Sequence, residues 1–305
     1  MMRAAKLPHI AQATKTPLPP PMPRAFPKIR PIGYDGDGLP CIFAAMGPSI
    51  AADMALTDRD ARLMDLSVVV PVRNEAENIA PLVAEIRAAL DGNLDYEIIY
   101  VDDGSSDDTV QRLRRAAAEF PRLHVIRHAL SCGQSAALWT GARRARAPWI
   151  GTLDGDGQND PADLLRLWRE ARVAEAPAGL ALVMGQRAER HDSWWRRVAS
   201  RVANGVRARL LRDNTRDTGC GLKILRREAY LAMPYFDHMH RFLPALARRH
   251  GGEVIWLPVS HRPRRAGQSK YGVFDRLWVG IVDLFGVLWL LRRANTPHII
   301  EDDPS

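Results

Sequence analysis

The chain has 305 residues, 46% of them hydrophobic, with 43 Lys and Arg against 35 Asp and Glu and a net charge of +8. That length can bury a substantial core, and three odd, widely spaced cysteines (Cys41, Cys132 and Cys220) exclude a disulfide framework or a zinc knuckle. The positive balance selects anionic partners, whether a phosphorylated substrate, an anionic membrane surface or nucleic acid, and the sparse cysteines suit a reducing, cytoplasmic compartment.

Residues 1–62 contain the Pro17-Leu18-Pro19-Pro20-Pro21-Met22-Pro23 segment and no sustained period of 2 or 3.6. They read as a disordered Pro-rich N-terminal tail, and without an apolar run after the first basic residues no secretory signal is expected. From Leu66 the pattern becomes regular. Leu66 to Val72 is a Val-rich apolar run suited to a strand covered on both faces. Ile79, Leu82, Val83, Ile86 and Leu90 then recur at helical spacing, with Asn74 and Glu75 as candidate caps. The unit repeats: strand Tyr96 to Val101, helix Asp107 to Phe120, strand Leu123 to Arg127, helix Gly133 to Arg146, strand Trp149 to Leu153, helix Pro161 to Glu175, strand Leu180 to Met184. Such alternation predicts βαβ units and a doubly wound α/β sheet.

Two of these strands end in acids: Asp102-Asp103-Gly104-Ser105-Ser106-Asp107 after one, Asp154-Gly155-Asp156-Gly157-Gln158 after the other. In an open α/β sheet, ligands bind beyond the carboxyl ends of the strands, so both acidic tips point at one crevice. Carboxylates and an amide oxygen at alternate positions can converge on a hard cation, which suggests Mg²⁺ or Mn²⁺ holding a diphosphate.

Between Arg187 and Arg216 nine arginines face three acids, and Val198, Val202, Val206 and Leu210 share one helical face behind Trp194 and Trp195. Leu277 to Leu291 is apolar except for Asp283 and is closed by Arg292 and Arg293. As a helix it would span roughly 22 Å, short of the roughly 30 Å hydrocarbon core, so it reads either as an in-plane interfacial helix or as a buried core helix.

Five segments in order carry a family resemblance: Pro71-Val72-Arg73-Asn74-Glu75, Val101-Asp102-Asp103-Gly104-Ser105-Ser106-Asp107, Asp154-Gly155-Asp156-Gly157-Gln158-Asn159-Asp160-Pro161, Asp217-Thr218-Gly219-Cys220-Gly221-Leu222-Lys223 and Arg264-Arg265-Ala266-Gly267-Gln268-Ser269-Lys270-Tyr271. From residue 66 to about 292 the chain resembles family 2 glycosyltransferases of the dolichol-phosphate mannosyltransferase type. The resemblance implies the glycosyltransferase-A fold, a Rossmann-like, mostly parallel sheet with helices on both faces, followed by C-terminal amphipathic helices. It implies a catalytic domain over 63–262, then a basic loop, an interfacial apolar helix and a polar tail over 263–305.

It also implies inverting transfer from a GDP- or UDP-sugar to a polyprenyl phosphate at the cytoplasmic face of a membrane. Pro71, Arg73, Glu75, Asp102, Asp103, Ser105, Gln134 and Asp154, the last nearest the ribose, would then bind the nucleotide sugar, with Arg264 and Lys270 on its phosphates. Asp154, Asp156 and Gln158 would hold the metal, Asp154, Asp156, Arg187 and Asp217 would be the catalytic group, and Ser200 and Arg201 would hold acceptor phosphate. Leu130-Ser131-Cys132-Gly133 departs from the family, which often has Asn before that glycine.

A phosphate monoester with a second pKa near 6 is largely a dianion at neutral pH and needs no general base, whereas a sugar hydroxyl does. Glu301-Asp302 lies in a polar tail, which leaves Asp217 as the fallback base. Transfer to a hydroxyl of a polysaccharide or soluble glycan is therefore the alternative reading. No transmembrane segment is visible, so attachment is expected through in-plane helices, a membrane-protein partner or a homo-oligomer. Nucleic acid is not an expected partner, since the basic residues form no recognised module. A nucleotidyltransferase is disfavoured because no glycine-rich phosphate loop follows the first strand.

Overall fold

The computed structural model describes residues 64–174, 179–187, 219–263 and 273–293, with 205, 207, 209–211, 213, 215 and 217 between them. The expected tail over 1–62 lies outside the described residues, as does most of the arginine-rich stretch. Of that stretch's apolar face only Leu210 is described; it is exposed, and its neighbour Leu211 is the one buried in the core.

The elements run β1 (Leu66–Val72), α1 (Ala76–Leu90), β2 (Tyr96–Asp102), α2 (Thr109–Glu119), β3 (Leu123–Arg127), α3 (Gln134–Arg144), β4 (Trp149–Thr152), α4 (Pro161–Ala174) and β5 (Leu180–Arg187). There follow β6 (Lys223–Arg226), α5 (Arg227–Ala232), a 3₁₀ turn (Met239–Arg241), α6 (Leu243–Arg249), β7 (Glu253–Val259) and α7 (Val273–Arg292). The elements expected up to β5 are present with ends shifted by a few residues, whereas β6, α5, α6 and β7 were not anticipated.

One seven-stranded sheet has the order β3-β2-β1-β4-β6-β5-β7. β1 runs parallel to β2 and β4, β2 to β3, and β5 to β7. β6 alone is antiparallel, pairing Thr152 with Lys223 on one side and Met184 with Lys223 on the other. That reversal brings the start of β6 to the tips of β4 and β5. The apolar runs of β1 and β2 are buried on both faces. One face packs against α1 and α4 through Ile79, Ile86, Leu164 and Leu167, the other against α3 and α6 through Ala137, Leu138 and Leu246.

The entry to α1 departs from the capping expected of Asn74 and Glu75. Asn74 is left-handed (φ 51°) and Glu75, at the cap position, makes no side-chain cap. The turn is instead held from the next crossover: Asn74 N–H donates to Ser105 Oγ at 2.8 Å, Glu75 N–H to Thr109 Oγ1 at 2.9 Å, and Ser106 N–H to Asn74 Oδ1 at 2.8 Å. These bonds lock the loops after β1 and β2 together.

At the opposite end of the sheet Glu97, 1% exposed, accepts from Ser67 Oγ at 2.6 Å and from Arg146 N–H and Nε at 2.8 and 3.0 Å. Burial alone would raise its pKa, but hydrogen bonds from His124, Ser67 and Arg146 outweigh it and take the carboxyl from 4.5 down to about 2. A depressed carboxylate stabilises the fold above its unfolded pKa and loses that contribution as pH falls through the folded one. Glu97→Gln should therefore cost roughly 3 kcal/mol at pH 7. In urea titrations from pH 7 to 2, the wild type should lose stability mainly below pH 4.5, and the variant should show a flatter pH dependence.

Candidate active site

The tips of β1, β2 and β4 and the start of β6 meet on one edge. Asp154 follows β4, and its Oδ1 accepts from Gln134 Nε2, the first residue of α3, at 2.9 Å. Thr152 Oγ1 donates to Gly221 O at 2.5 Å, drawing the lead-in to β6 against β4. A Cβ on Gly221 would lie 2.2 to 2.5 Å from the Asp154 carboxylate atoms, so this approach requires glycine.

Burial, and next the charge of Asp156, push the Asp154 pKa up to about 6, against the opposing influence of Lys223, Arg187 and Gln134. A buried carboxylate facing a second one is relieved by a cation between them, and the available donors suit a hard one. Asp156 Oδ1 accepts from Gln158 N–H at 3.1 Å, while Gln158 Nε2 donates to Arg262 O at 3.3 Å, which leaves the Gln158 amide oxygen for a ligand. Arg262 is itself fixed by Asp160 at 2.5 Å and Glu85 at 2.8 Å.

Lys223, quoted in the sequence motif but given no role there, is 4% exposed. Its Nζ donates to Cys220 O, and burial lowers its pKa against the pull of Cys220, Asp154 and Asp217. Its proximity lowers the Asp154 pKa, opposing the effect of burial. Arg187, at the end of β5, grips Asp217 with Nε and Nη2, both at 2.7 Å. Asp217 is 5% exposed, so this pair is a largely desolvated, two-point ion pair.

The two acids after β2 behave differently. Asp102 accepts from Ser105 N–H at 3.2 Å and faces Arg127 Nε at 3.3 Å. Asp103 binds His128 Nδ1 and Cys132 N–H through Oδ1, both at 2.8 Å, and Ser131 Oγ and Gly133 N–H through Oδ2 at 2.7 and 2.9 Å. Burial raises the Asp103 pKa, but these four bonds prevail and hold it below the usual carboxylate value. Its lone pairs are thus taken up in shaping the 130–133 loop. Gly104 (φ 70°) permits the packing, because a Cβ there would lie 2.8 Å from Ser131 N.

Pro71 and Glu75 flank the same edge, Glu75 buried and accepting from Asn78 Nδ2 at 2.7 Å, while Arg73 is exposed. Ser105 is buried with its hydroxyl on Asn74 N–H. Ser200, Arg201, Arg264 and Lys270 lie outside the described residues.

An acidic pair at the tip of a central parallel strand, beside an antiparallel sixth strand that supplies a lysine, belongs to a known architecture, and the comparison with known proteins agrees. The model of the glycosyl transferase family 2 matches residues 67–232. The chain belongs to this family.

The undecaprenyl-phosphate 4-deoxy-4-formamido-L-arabinose transferase of Edwardsiella ictaluri is 37% identical over 211 residues, which are 68% of this chain and 63% of that protein. The chain thus spans just under two thirds of such relatives. The dodecaprenyl-phosphate galacturonate synthase of Rhizobium johnstonii is 34% identical over 246 residues, 79% of this chain and 71% of that protein.

Among solved structures, glucosyl-3-phosphoglycerate synthase from Mycobacterium tuberculosis in complex with Mg²⁺ and uridine diphosphate superposes with a TM-score of 0.56 at 19% identity, covering 80% of this chain and 84% of that one. Mannosyl-3-phosphoglycerate synthase from Rubrobacter xylanophilus gives 0.55 at 17% identity, with 83% and 82% coverage. The fold is that of the glycosyltransferase-A enzymes.

In this family 2 glycosyltransferase the Gly221 contact is a clean probe, because the atoms it would meet belong to a side chain that can swing away. Gly221→Ala should fold with a melting temperature within about 4 °C of wild type. It should displace the Asp154 carboxylate and reduce sugar transfer at least about tenfold, a loss of roughly 1.4 kcal/mol in transition-state stabilisation. A melting curve and a rate assay on one preparation check both halves.

Proposed function

We propose that the enzyme transfers a sugar, with inversion, from a nucleotide-sugar donor to a polyprenyl phosphate at a membrane surface, with Mg²⁺ or Mn²⁺ held by Asp154, Asp156 and Gln158. The observation that carries this reading is one turn that joins two surfaces. His240 of the 3₁₀ turn contacts Ser135 at 2.7 Å, next to the Gln134 that holds Asp154. His238, just before the turn, meets Asp283 of α7 at 3.2 Å.

α7 has two unlike faces. Val287 is 1% exposed, and Leu284, Leu288 and Leu291 pack on the core, whereas Val282, Phe285 and Trp289 are 56 to 65% exposed. No helix among the described residues is long and apolar enough to cross a membrane. An open apolar stripe that ends in Trp289, Arg292 and Arg293 suits the headgroup boundary of an anionic leaflet. The inward side of the same helix meets, through Asp283, the turn that leads by Ser135 and Gln134 to Asp154, where a lipid-borne phosphate must arrive in this reading.

In this reading Pro71, Arg73, Glu75, Asp102 and Ser105 border the base and ribose, and Asp103 is a positioning residue that shapes the loop opposite them. Gln134 orients Asp154. Arg187, fixed by Asp217, presents its remaining edge to phosphate, and Arg264, Lys270, Ser200 and Arg201 complete the phosphate contacts. When bound, the cation offsets the charge that grows on the leaving nucleoside diphosphate. Asp102, Asp103 and Asp217 are each engaged by cations or N–H groups, an arrangement better suited to a nucleophile that arrives already ionised than to one that must lose a proton.

Incubation with Mn²⁺, polyprenyl phosphate and a panel of UDP- and GDP-sugars tests the reaction. The expected product is a polyprenyl-phosphate sugar that forms only with the metal; transfer solely to hydroxyl acceptors refutes the acceptor, and equal rates in chelator refute the metal. Asp156→Ala should abolish transfer while the melting temperature holds, since Asp156 lies partly open at the crevice. Replacing Phe285 and Trp289 together by Ser should weaken binding to anionic vesicles by about tenfold or more and leave donor binding unchanged, as read by vesicle sedimentation and calorimetry.

A further inference from the structure

His240 is held at both its ring and its backbone N–H by one buried hydroxyl. Ser135, in the first turn of α3, is 0% exposed. Its Oγ receives the backbone N–H of His240 at 3.3 Å and lies 2.7 Å from ring Nδ1. The oxygen could accept a second bond, but the hydrogen of this buried hydroxyl has no other acceptor among the described residues, so it points to Nδ1. Nδ1 is therefore the acceptor, and the ring proton resides on Nε2.

Burial, reinforced by the charges of Lys223, Arg241 and His238, holds the imidazole pKa well below its ordinary value, so the ring stays neutral. Among the described residues Nε2–H has no partner, and the half-buried ring is not sealed from solvent. A fixed, neutral donor that opens to solvent can exchange water for a ligand oxygen without breaking a protein contact.

The sheet edge indicates which oxygen. In the donor reading the tips of β1 and β2 border the nucleoside and the tip of β4 carries the carboxylates for metal and diphosphate; His240 is joined to that tip through Ser135 and the adjacent Gln134, which holds Asp154. Beyond the diphosphate, the next part of a nucleotide sugar is the sugar. Guanidinium groups suit phosphate, whereas a neutral N–H suits an uncharged hydroxyl. Resting on the donor reading given above, we propose that His240 is a sugar-binding residue that donates Nε2–H to an oxygen substituent of the transferred sugar, with Ser135 as the positioning residue that fixes its tautomer.

The test compares wild type, His240→Ala, His240→Gln and Ser135→Ala by calorimetry with Mn²⁺. The probes are UDP, UDP-glucose, UDP-galacturonate, GDP and GDP-mannose, and transfer to polyprenyl phosphate is then assayed with the best-bound sugar. His240→Ala should leave the nucleoside-diphosphate Kd within about twofold and lower kcat/KM for the nucleotide sugar roughly ten- to a hundredfold. Gln, whose amide N–H reaches about where Nε2–H does, should recover most of the loss, and Ser135→Ala should fall between. Equal weakening of nucleoside diphosphate and nucleotide sugar, or no effect of His240→Ala on transfer, overturns the proposal and leaves the donor reading intact. Failure of the wild type to bind any nucleoside diphosphate with Mn²⁺ overturns the donor reading itself, and this inference with it.

Discussion

The architecture turns on a carboxylate held where carboxylates are costly. Asp154 sits at the tip of a central strand, its pKa raised first by burial and then by Asp156, and it is kept in place by Gln134 and by the space that Gly221 leaves. A raised carboxyl is a cost to the folded state at neutral pH, since the group must ionise in an environment that resists it. Such a cost persists in a stable fold when a ligand offsets it, which is why perturbed groups gather at functional sites. The reversed β6 follows from the same requirement. A parallel strand beside β4 would begin at the opposite edge, and only an antiparallel neighbour delivers Lys223 and Gly221 to the tip of β4.

Adjacent acids of the same motif illustrate how environment divides labour. Asp102, at the end of β2, keeps a simple arrangement of one N–H and one guanidinium. Asp103, one residue on, points to the other side of the chain and collects four donors from residues 128–133. Two carboxylates in a dipeptide thus hold different segments, Asp102 the turn at Ser105 and Asp103 the 128–133 loop. The family commonly has Asn before Gly133, where this chain has Cys132. The Cys132 backbone N–H still reaches Asp103, so the loop's internal support depends on the main chain more than on that side chain.

The doubly wound half of the fold was legible because it is local. Val-rich strands and helices of 3.6 period announce themselves within ten residues, and the acidic strand tips inherit their position from those strands. What escaped was set by distance or by brevity. β6 is four residues, Lys223–Arg226, that run without a turn into α5 at Arg227, so the apolar spacing of Leu222, Ile224, Leu225 and Tyr230 has no single period. The entry to α1 was read from Asn74 and Glu75, but its partners are Ser105, Ser106 and Thr109, some thirty residues away, which no window of adjacent sequence contains. His240 was invisible for the same reason, its partner Ser135 lying 105 positions upstream. Apolar spacing also left two roles open for the final helix, because it did not tell which positions turn inward: Leu284, Val287, Leu288 and Leu291 belong to the core while Val282, Phe285 and Trp289 face outward.

That division of α7 shapes how a lipid acceptor would be met. The inward face ties the helix to the core, Arg249 Nε adds a bond to Leu290 O at 3.1 Å, and Asp283, the one acid in the apolar run, is turned toward His238 rather than outward. Were Asp283 on the outward stripe, immersing that stripe would carry a carboxylate into an apolar medium, which is strongly unfavourable. Placed inward, the carboxyl instead lies 3.2 Å from His238 Nδ1. It holds α7 to the left-handed His238 (φ 62°) and so to the turn whose next-but-one residue contacts Ser135. A helix seated at a membrane through its outer face therefore fixes the height of the turn above the bilayer, and with it the height of the Asp154 crevice. For a reaction between a soluble nucleotide sugar and a phosphate confined to the headgroup plane, that height is the coordinate that must be right before any chemistry can occur.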